Sequence, residues 1–283
     1  MGRLWKKVAA AIASAAVGSV AAGQLVDGAA DGYSIFGWSA PEILSPYEQD
    51  RATVTPSADV VPVGRFVLEA GATVTYDDED GVETTNLTTP ELLLRAGIFE
   101  RTEFRLGWDG YSSTEIDTTG FNDTISGGTD MTAGVKVELL DNDGAIPGLA
   151  ILGQVSIPVG DEEITSDRVD PSAQVVVSYD EIDDFWRFDA SAELSFLEDT
   201  TDDSFTEVGV AAGSRQRWQE GFESFLEYFG FFRDADGIPD AQFIQGGVIF
   251  EASTNIILDA RIGAGLTSDS ADMFAGAGIS FSF

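Results

Sequence analysis

The chain has 283 residues, and its 49 Asp and Glu against 15 Lys and Arg give a formal net charge of −34 at pH 7. Such an acidic chain excludes recognition of nucleic acid through phosphates, which needs clustered basic residues. The sequence has no Cys and no His, which excludes disulfides, Cys/His zinc sites and His-dependent catalysis, and we predict a protein that is not an enzyme and has no metal or cofactor.

The first residues, MGRLWKKVAAAIASAAVGSVAAGQ, follow the pattern of a secretory signal peptide. Arg3, Lys6 and Lys7 form a positive region, and residues 8–22 form an apolar stretch of small side chains. The stretch is shorter than the ~20 apolar residues of a spanning helix, which disfavours a transmembrane anchor. We therefore predict a signal peptide over residues 1–23.

Residues 24–63 show no sustained hydrophobic period and contain Pro41, Pro46, Pro56 and Pro62. Proline at this density interrupts regular structure. We predict an irregular N-terminal extension over this range.

Residues 64–283 alternate apolar and polar side chains with a period of two, as in WRFDASAELSF at 186–196. This period is typical of β-strands with one apolar face. The stretches lie at about 64–76, 88–98, 101–111, 129–140, 147–158, 171–180, 184–197, 204–217, 220–232, 241–251, 254–266 and 271–283. Most are longer than the ~5–6 residues of a usual soluble strand.

Short turns alternate along the chain with longer or more acidic connections, the long ones being 77–87, 112–128 and 159–170. Short periplasmic turns and long outer loops are typical of outer-membrane barrels. The fold class predicted for residues 64–283 is therefore all-β, a transmembrane antiparallel up-and-down β-barrel of about 12 strands. An even number of strands places both of its ends on the periplasmic side.

The basic residues support the barrel over its alternative, a soluble secreted β-sandwich. Eight of the twelve that follow residue 23 lie in phase with the polar face of a strand: Arg65, Arg95, Arg105, Lys136, Arg187, Arg215, Arg217 and Arg261. A soluble surface would scatter both charge signs over strands and loops. We expect the polar face to line a lumen and the apolar face to contact outer-membrane lipid.

The closing sequence MFAGAGISFSF places Ile279, Phe281 and Phe283 on one apolar row. A closed barrel needs a final strand to pair with the first, because lipid offers no partner for an open edge. The row resembles the C-terminal signal of bacterial outer-membrane proteins, and the resemblance implies recognition of Phe283 by the barrel-assembly machinery.

Several phrases, GRFVLEAGATVTYDDEDG, TPELLLRAGIFERTEFRLGWDGYS and AGVKVELLDNDGAIPGLAILGQVSIPVG, carry a family resemblance over roughly residues 48–283. They resemble the outer-membrane transporter family labelled "MetA-pathway of phenol degradation". Asp50-Arg51-Ala52 is similar to a family phrase but lacks its proline. The resemblance implies an outer-membrane channel for small molecules, aromatic or hydrophobic ones among them, and no catalytic residues.

Twelve residues are candidates for the lumen and solute path: Arg65, Glu69, Glu91, Arg95, Glu103, Arg105, Arg187, Glu193, Arg261, Phe225, Phe229 and Phe243. The charged members form either a polar constriction that orients a solute or a salt-bridge network that braces the wall. The phase of GFESFLEYFGFF at 221–232 is ambiguous: Phe225 and Phe229 face the lumen if Glu223 and Glu227 do. The Phe residues then form a path for an apolar solute; otherwise they fill the interior, or the phase slips and turns them away from it.

We predict a passive transporter of small solutes, possessing no energy source, in the bacterial outer membrane. The alternative is a structural or ligand-binding barrel whose lumen is closed by side chains or by residues 24–63. The acidic runs at 77–80 and 160–163 lack the ligand spacing of a calcium loop, so a solvated surface is the favoured interpretation.

Overall fold

The structure, a computed structural model, describes residues 47–165, 168–180, 185–198, 204–235 and 237–283. The predicted signal peptide and the first part of the predicted extension, residues 24–46, lie outside the described residues. No helix in these ranges is long and apolar enough to cross a membrane.

Fourteen strands account for most of the described residues. They are β1 (Phe66–Glu79), β2 (Val82–Phe99), β3 (Thr102–Trp108), β4 (Tyr111–Thr118), β5 (Phe121–Gly128), β6 (Met131–Leu140), β7 (Gly148–Ile157), β8 (Pro171–Tyr179), β9 (Trp186–Glu198), β10 (Ser204–Gln219), β11 (Phe222–Asp234), β12 (Ala241–Ser253), β13 (Ile256–Gly265) and β14 (Met273–Ser282).

Twelve of these strands close into an antiparallel barrel in the order β1, β2, β3 and β6 to β14. β14 returns to pair with β1, with Ala70 opposite Ile279 and Val67 opposite Ser282. The prediction of a closed barrel of about 12 strands is confirmed. No edge of the barrel is left open among the described strands, because the last strand supplies hydrogen-bond partners for the first.

The two remaining strands, β4 and β5, form a hairpin that continues β3 and β6 beyond the barrel. β2 is long enough to pair with β3 through residues 92–99 and with β4 through residues 83–89. The predicted loops at 77–87 and 112–128 are therefore wrong. At the first, the positive φ of Asp80 (52°) and Gly81 (82°) permits a two-residue turn, so β1 and β2 continue to it.

The faces of the barrel follow the alternation of the sequence. On β9, Phe188 and Leu194 are 42% and 41% exposed on the outer surface, whereas Arg187 and Asp189 are 8% and 6% exposed and point inward. Apolar outside and ionic inside is the arrangement of a membrane barrel and the reverse of a soluble sandwich. The sandwich alternative is therefore wrong.

The orientation of β9 generates a prediction. Replacing outward-facing Leu194 with Arg should lower the free energy of unfolding by about 2–4 kcal/mol, the cost of a cation on the lipid face near mid-membrane. The matched control Ser195→Arg faces the lumen, opposite Glu207 on β10, and should be tolerated. Urea unfolding in lipid vesicles measures both variants, and equal losses would contradict the assigned faces.

Candidate functional site

A segment without regular structure, residues 47–63 (the plug), crosses the lumen. Its main-chain amides bind side chains of the barrel wall: those of Asp50 and Arg51 donate to Glu69 at 2.8–3.1 Å, and those of Val54 and Thr55 to Glu227 at 2.9 and 2.8 Å. Two further anchors are Glu103, bound by the Val61 amide, and Ser178, bound by the Ala58 amide. A buried chain with no sheet partner must satisfy its amides in some other way, and wall carboxylates do so here.

The carboxylate of Asp50 lies at the centre of a buried ionic cluster. One of its oxygens lies 2.5 Å from Arg105 Nη1, 3.4 Å from Lys136 Nζ and 3.5 Å from Arg95 Nε. Glu103 contacts the same three cations at 2.9–3.3 Å, and all five side chains are nearly inaccessible to solvent. Buried charges are tolerated only when paired and hydrogen-bonded, so the plug and the wall depend on each other.

Arg51 forms a second link between the plug and the wall. Its guanidinium contacts Glu91 at 2.6 Å and Asp259 at 2.7 Å. Glycines on β1 and β14 make room for it, since a Cβ at Gly71 or Gly278 would lie 2.1 Å from the Arg51 guanidinium. Small residues at these wall positions are therefore required by a side chain of the plug.

The third link is Arg187, which binds Glu48 of the plug, Asp189 Oδ1 at 3.1 Å and Ser57 Oγ at 3.0 Å. Arg215 lies beside it, 3.5 Å from Asp189 and 3.6 Å from Glu48. The inner charges thus form a network of ion pairs, and carboxylates of the plug are members of it.

Four inward-facing phenylalanines, the aromatic shelf, lie together on β11, β12 and β14: Phe229, Phe231, Phe243 and Phe274. Phe229 stacks on Phe243 with ring centroids 5.0 Å apart, and Phe274 lies within about 6 Å of both. The guanidinium of Arg261 lies 6.0 Å from the ring of Phe274. β11 presents Phe225, Glu227 and Phe229 inward in alternate positions, which resolves a phase that the sequence leaves ambiguous.

The structure places all twelve predicted residues inside the barrel or at its base. Most touch the plug: Glu69, Glu91, Arg95, Glu103, Arg105, Arg187 and Arg261 bind it directly, and Phe225 packs in one buried cluster with Ala52. Arg65 is buried where the plug joins β1. Glu193 lies away from the plug and accepts a bond from Gln154 at 3.3 Å, and Phe229 and Phe243 belong to the shelf.

Sequence reasoning missed the plug residues themselves, above all Asp50 and Arg51, and the wall carboxylate Glu227 that binds two plug amides. In the sequence, Asp50-Arg51 is marked only by its likeness to a family phrase. The alternative in which residues 24–63 close the lumen places this segment inside the barrel but names none of the residues that bind the wall.

Two carboxyl groups of the plug have lowered pKa values. Burial alone would raise the pKa of Asp50, but Arg95, Lys136 and Arg105 outweigh it and hold that pKa well below the usual value of 3.8. Burial would likewise raise the pKa of Glu48, but the positive charges of Arg187 and Arg215 outweigh that effect and lower it. Both groups are therefore ionised at neutral pH and bind their cations as full charges.

Fold and site together define a twelve-stranded transmembrane β-barrel with a plugged, ionic lumen. The chain belongs to the family described as "Putative MetA-pathway of phenol degradation", whose model matches residues 49–283. The matched range includes most of the plug as well as the barrel.

Two solved structures are similar in fold. The crystal structure of an outer membrane channel from Pseudomonas putida F1 is 13% identical, with a TM-score of 0.64 over 80% of this chain and 98% of that chain. The NanC porin is 10% identical, with a TM-score of 0.50 over 76% of this chain and 98% of that chain. No curated protein matches the sequence.

The Asp50 cluster generates a prediction. Asp50→Asn removes the charge shared by three buried cations, and loss of one partner from such a group costs about 3–5 kcal/mol. We expect trypsin to cleave the variant after Arg51. In the parent protein this bond is protected because the plug is bound inside the barrel. The control Asp80→Asn changes an exposed turn residue whose positive φ suits Asn, and Arg51 should stay protected; protection in both variants would contradict a structural role for Asp50.

The lowered pKa of Asp50 predicts that the contacts of this one carboxylate persist in mild acid. Because the folded-state pKa lies below 3.8, the stabilisation is present above that value and lost as pH falls through the folded-state pKa. The Ser57 amide donates to Asp50 Oδ1 at 3.0 Å, so its hydrogen exchange, corrected for intrinsic pH dependence, reports on the contact. Protection should be equal at pH 7 and pH 5, and a loss between these values would contradict the assignment.

Proposed function

We propose that the protein is a passive channel of the bacterial outer membrane that carries small solutes, with aromatic or hydrophobic compounds as the favoured class. The observation that carries the proposal is the aromatic shelf, whose rings face a lumen that is otherwise lined by charges. Transport follows the concentration gradient of the solute.

The shelf suits an apolar solute for a physical reason. Aromatic rings on the lumen side gain no contact with lipid, so part of their apolar surface is available to a molecule inside the barrel. Each aromatic pair adds about 0.5–1.5 kcal/mol beyond the burial of area. Several such rings therefore favour an apolar or aromatic molecule over a fully polar one at this level of the lumen.

The comparisons support the class of function through the shared fold, since the two solved structures are described as an outer membrane channel and a porin. Membership of the family supports the same role. We propose no catalytic activity.

Localisation and assembly belong to the same proposal. The apolar outer surface suits contact with outer-membrane lipid, and residues 1–23 suit export. Phe283 is 42% exposed, and its ring lies 6.4 Å from that of Phe281. An accessible terminal aromatic residue is what recognition by the barrel-assembly machinery requires.

A second candidate function is a structural or ligand-binding barrel without transport. It is favoured by the ion pairs that join Asp50, Arg51 and Glu48 of the plug to the wall and hold the plug across the lumen. The first candidate requires the plug to open a passage, and the second requires it to remain shut.

Recordings in planar bilayers distinguish the two candidates. We expect discrete openings from folded protein, and liposomes containing it should swell in small solutes. Silence from protein that is demonstrably folded would favour the closed barrel.

The aromatic shelf makes a prediction about selectivity. Phe229→Ala and Phe243→Ala should slow the entry of aromatic solutes severalfold relative to sugars of similar size, because they remove stacking surface from the lumen. The control Phe196→Ala removes a ring from the outer face, where Phe196 is 53% exposed, and should leave the ratio unchanged. An equal effect of all three variants would contradict the selectivity assigned to the shelf.

A further inference from the structure

The plug is held most firmly by one side of the barrel, formed by β1, β2, β3 and β6. On that side Arg95 uses every nitrogen of its guanidinium: Nε and Nη2 donate to Glu103 and Nη1 to the Glu48 carbonyl and to Glu69. The main chain also docks there, since the Gly64 amide donates to the Gly97 carbonyl at 2.9 Å. A Cβ at Gly97 would lie 2.1 Å from the Pro62 carbonyl oxygen, so the two chains are in direct contact.

The next part of the wall, β7 and β8, holds the plug by close packing. Ala58 is 1% exposed and belongs to a buried cluster with Ala150 and Val176. An ideal Cβ at Gly148 would lie 3.4 Å from the Ala58 Cβ. The Ala58 amide also donates to Ser178 Oγ at 2.9 Å.

On the opposite side, where the plug faces β10 and β11, the packing between plug and wall is less complete. A cavity of about 10 Å³ is lined by the Thr53 and Thr55 side of the plug and by Arg215, Phe225 and Glu227 of the wall. The Thr55 amide still reaches Glu227 at one edge of the cavity. We call this space the gap. Its volume is about that of a single water site.

Polar atoms beside the gap are buried without partners. Within the described chain, the Thr55 hydroxyl and the Nε and Nη2 atoms of Arg215 make no hydrogen bond. Each buried polar group left unbonded costs free energy, so the contact between plug and wall is weaker here than at Arg95. Separation of the plug from the wall at the gap breaks the two amide bonds to Glu227 but leaves the Arg95 contacts intact.

The gap also lies in line with the aromatic shelf. Phe225 lines the gap and Phe229 belongs to the shelf, and β11 presents both inward. Glu227 stands between them and accepts the Val54 and Thr55 amides. Phe225 and Phe229 therefore place apolar surface on either side of the Glu227 carboxylate, between the shelf and the edge of the plug.

We propose that solutes pass the plug through the gap, between Thr53–Thr55 and the β10–β11 wall, while the rest of the plug stays bound to β1–β3 and β6–β8. The inference rests on the proposed channel function and deepens it by assigning the constriction. Phe225 contacts the apolar part of a solute, and Arg215 Nη2 and the Thr55 hydroxyl, which make no hydrogen bond within the described chain, bind an acceptor atom on it. Arg215 and Thr55 are then the residues that select solutes at the narrowest point.

A disulfide lock tests whether the plug moves locally or leaves as a whole. The chain has no cysteine, so Ala58→Cys with Gly148→Cys introduces one defined pair, whose Cβ separation of 3.4 Å is close to the ~3.5–4.5 Å of a disulfide. The oxidised protein should conduct as well as the protein reduced with dithiothreitol. If oxidation abolishes conductance and reduction restores it, the plug leaves the lumen entirely and the gap is not the path.

Two single cysteines test the path directly. Treatment of Thr55→Cys with 2-(trimethylammonium)ethyl methanethiosulfonate should reduce single-channel conductance to below about a tenth, because the narrowest part of a pore governs its flux. The matched control Ala58→Cys lies three residues along the plug, against β7, and should be unaffected. Equal sensitivity, or block at position 58 alone, overturns the inference while leaving a conducting channel.

The proposed function fails in a different way. If the parent protein and all variants are folded and silent, there is no channel, and both the function and its path are overturned. Conductance that survives treatment of Thr55→Cys overturns the path alone.

Discussion

The whole arrangement depends on the fact that hydrocarbon offers no hydrogen-bond partners and no stabilisation for ions. Every strand within the membrane must pair on both sides, so β14 must return to β1. Charged side chains must turn inward, so Arg95, Lys136 and Asp189 all become neighbours in one small lumen. The ionic interior is therefore a consequence of the apolar exterior.

A narrow lumen full of charges needs a partner that carries charges and amides of its own, and the plug meets that need. Its carboxylates neutralise wall cations, as Asp50 does with Arg105, and its amides satisfy wall carboxylates, as those of Val54 and Thr55 do with Glu227. These ionic contacts are specific in geometry, and the apolar packing of the plug is confined to small clusters around Ala52 and Ala58. The contacts of the plug with β10 and β11 can therefore break while its contacts with β1–β3 and β6–β8 remain.

The barrel strands could be predicted from sequence because their two faces meet different surroundings, lipid and lumen, and the period of two records the difference. The upper part of β2, VETTNLTT at 82–89, has no such contrast, since polar residues occupy both faces. Its pairing with β4 was therefore not predictable from hydrophobicity. The same holds for the β4–β5 hairpin.

For the site residues, the sequence predicts which side chains face the lumen but not which residues they contact. The alternation of apolar and polar residues in β2 and β3 predicts that Arg95 and Glu103 face the lumen, and both are buried there. Contacts such as Thr55 with Glu227 join residues 172 positions apart, and a local pattern contains no information about such a distance. The sequence leaves open that residues 24–63 close the lumen, but the residues that the plug contacts follow only from the closed barrel around it.

The assignment of an oily outer row and an ionic inner row can be measured strand by strand. Nitroxide labels on single cysteines at successive positions of β9, from 188 to 196, report collisions with oxygen dissolved in lipid and with a water-soluble nickel complex. The account predicts strict alternation, with high oxygen accessibility at 188, 190, 192, 194 and 196 and low accessibility at the positions between. Uniform exposure to the nickel complex at the even positions would contradict it.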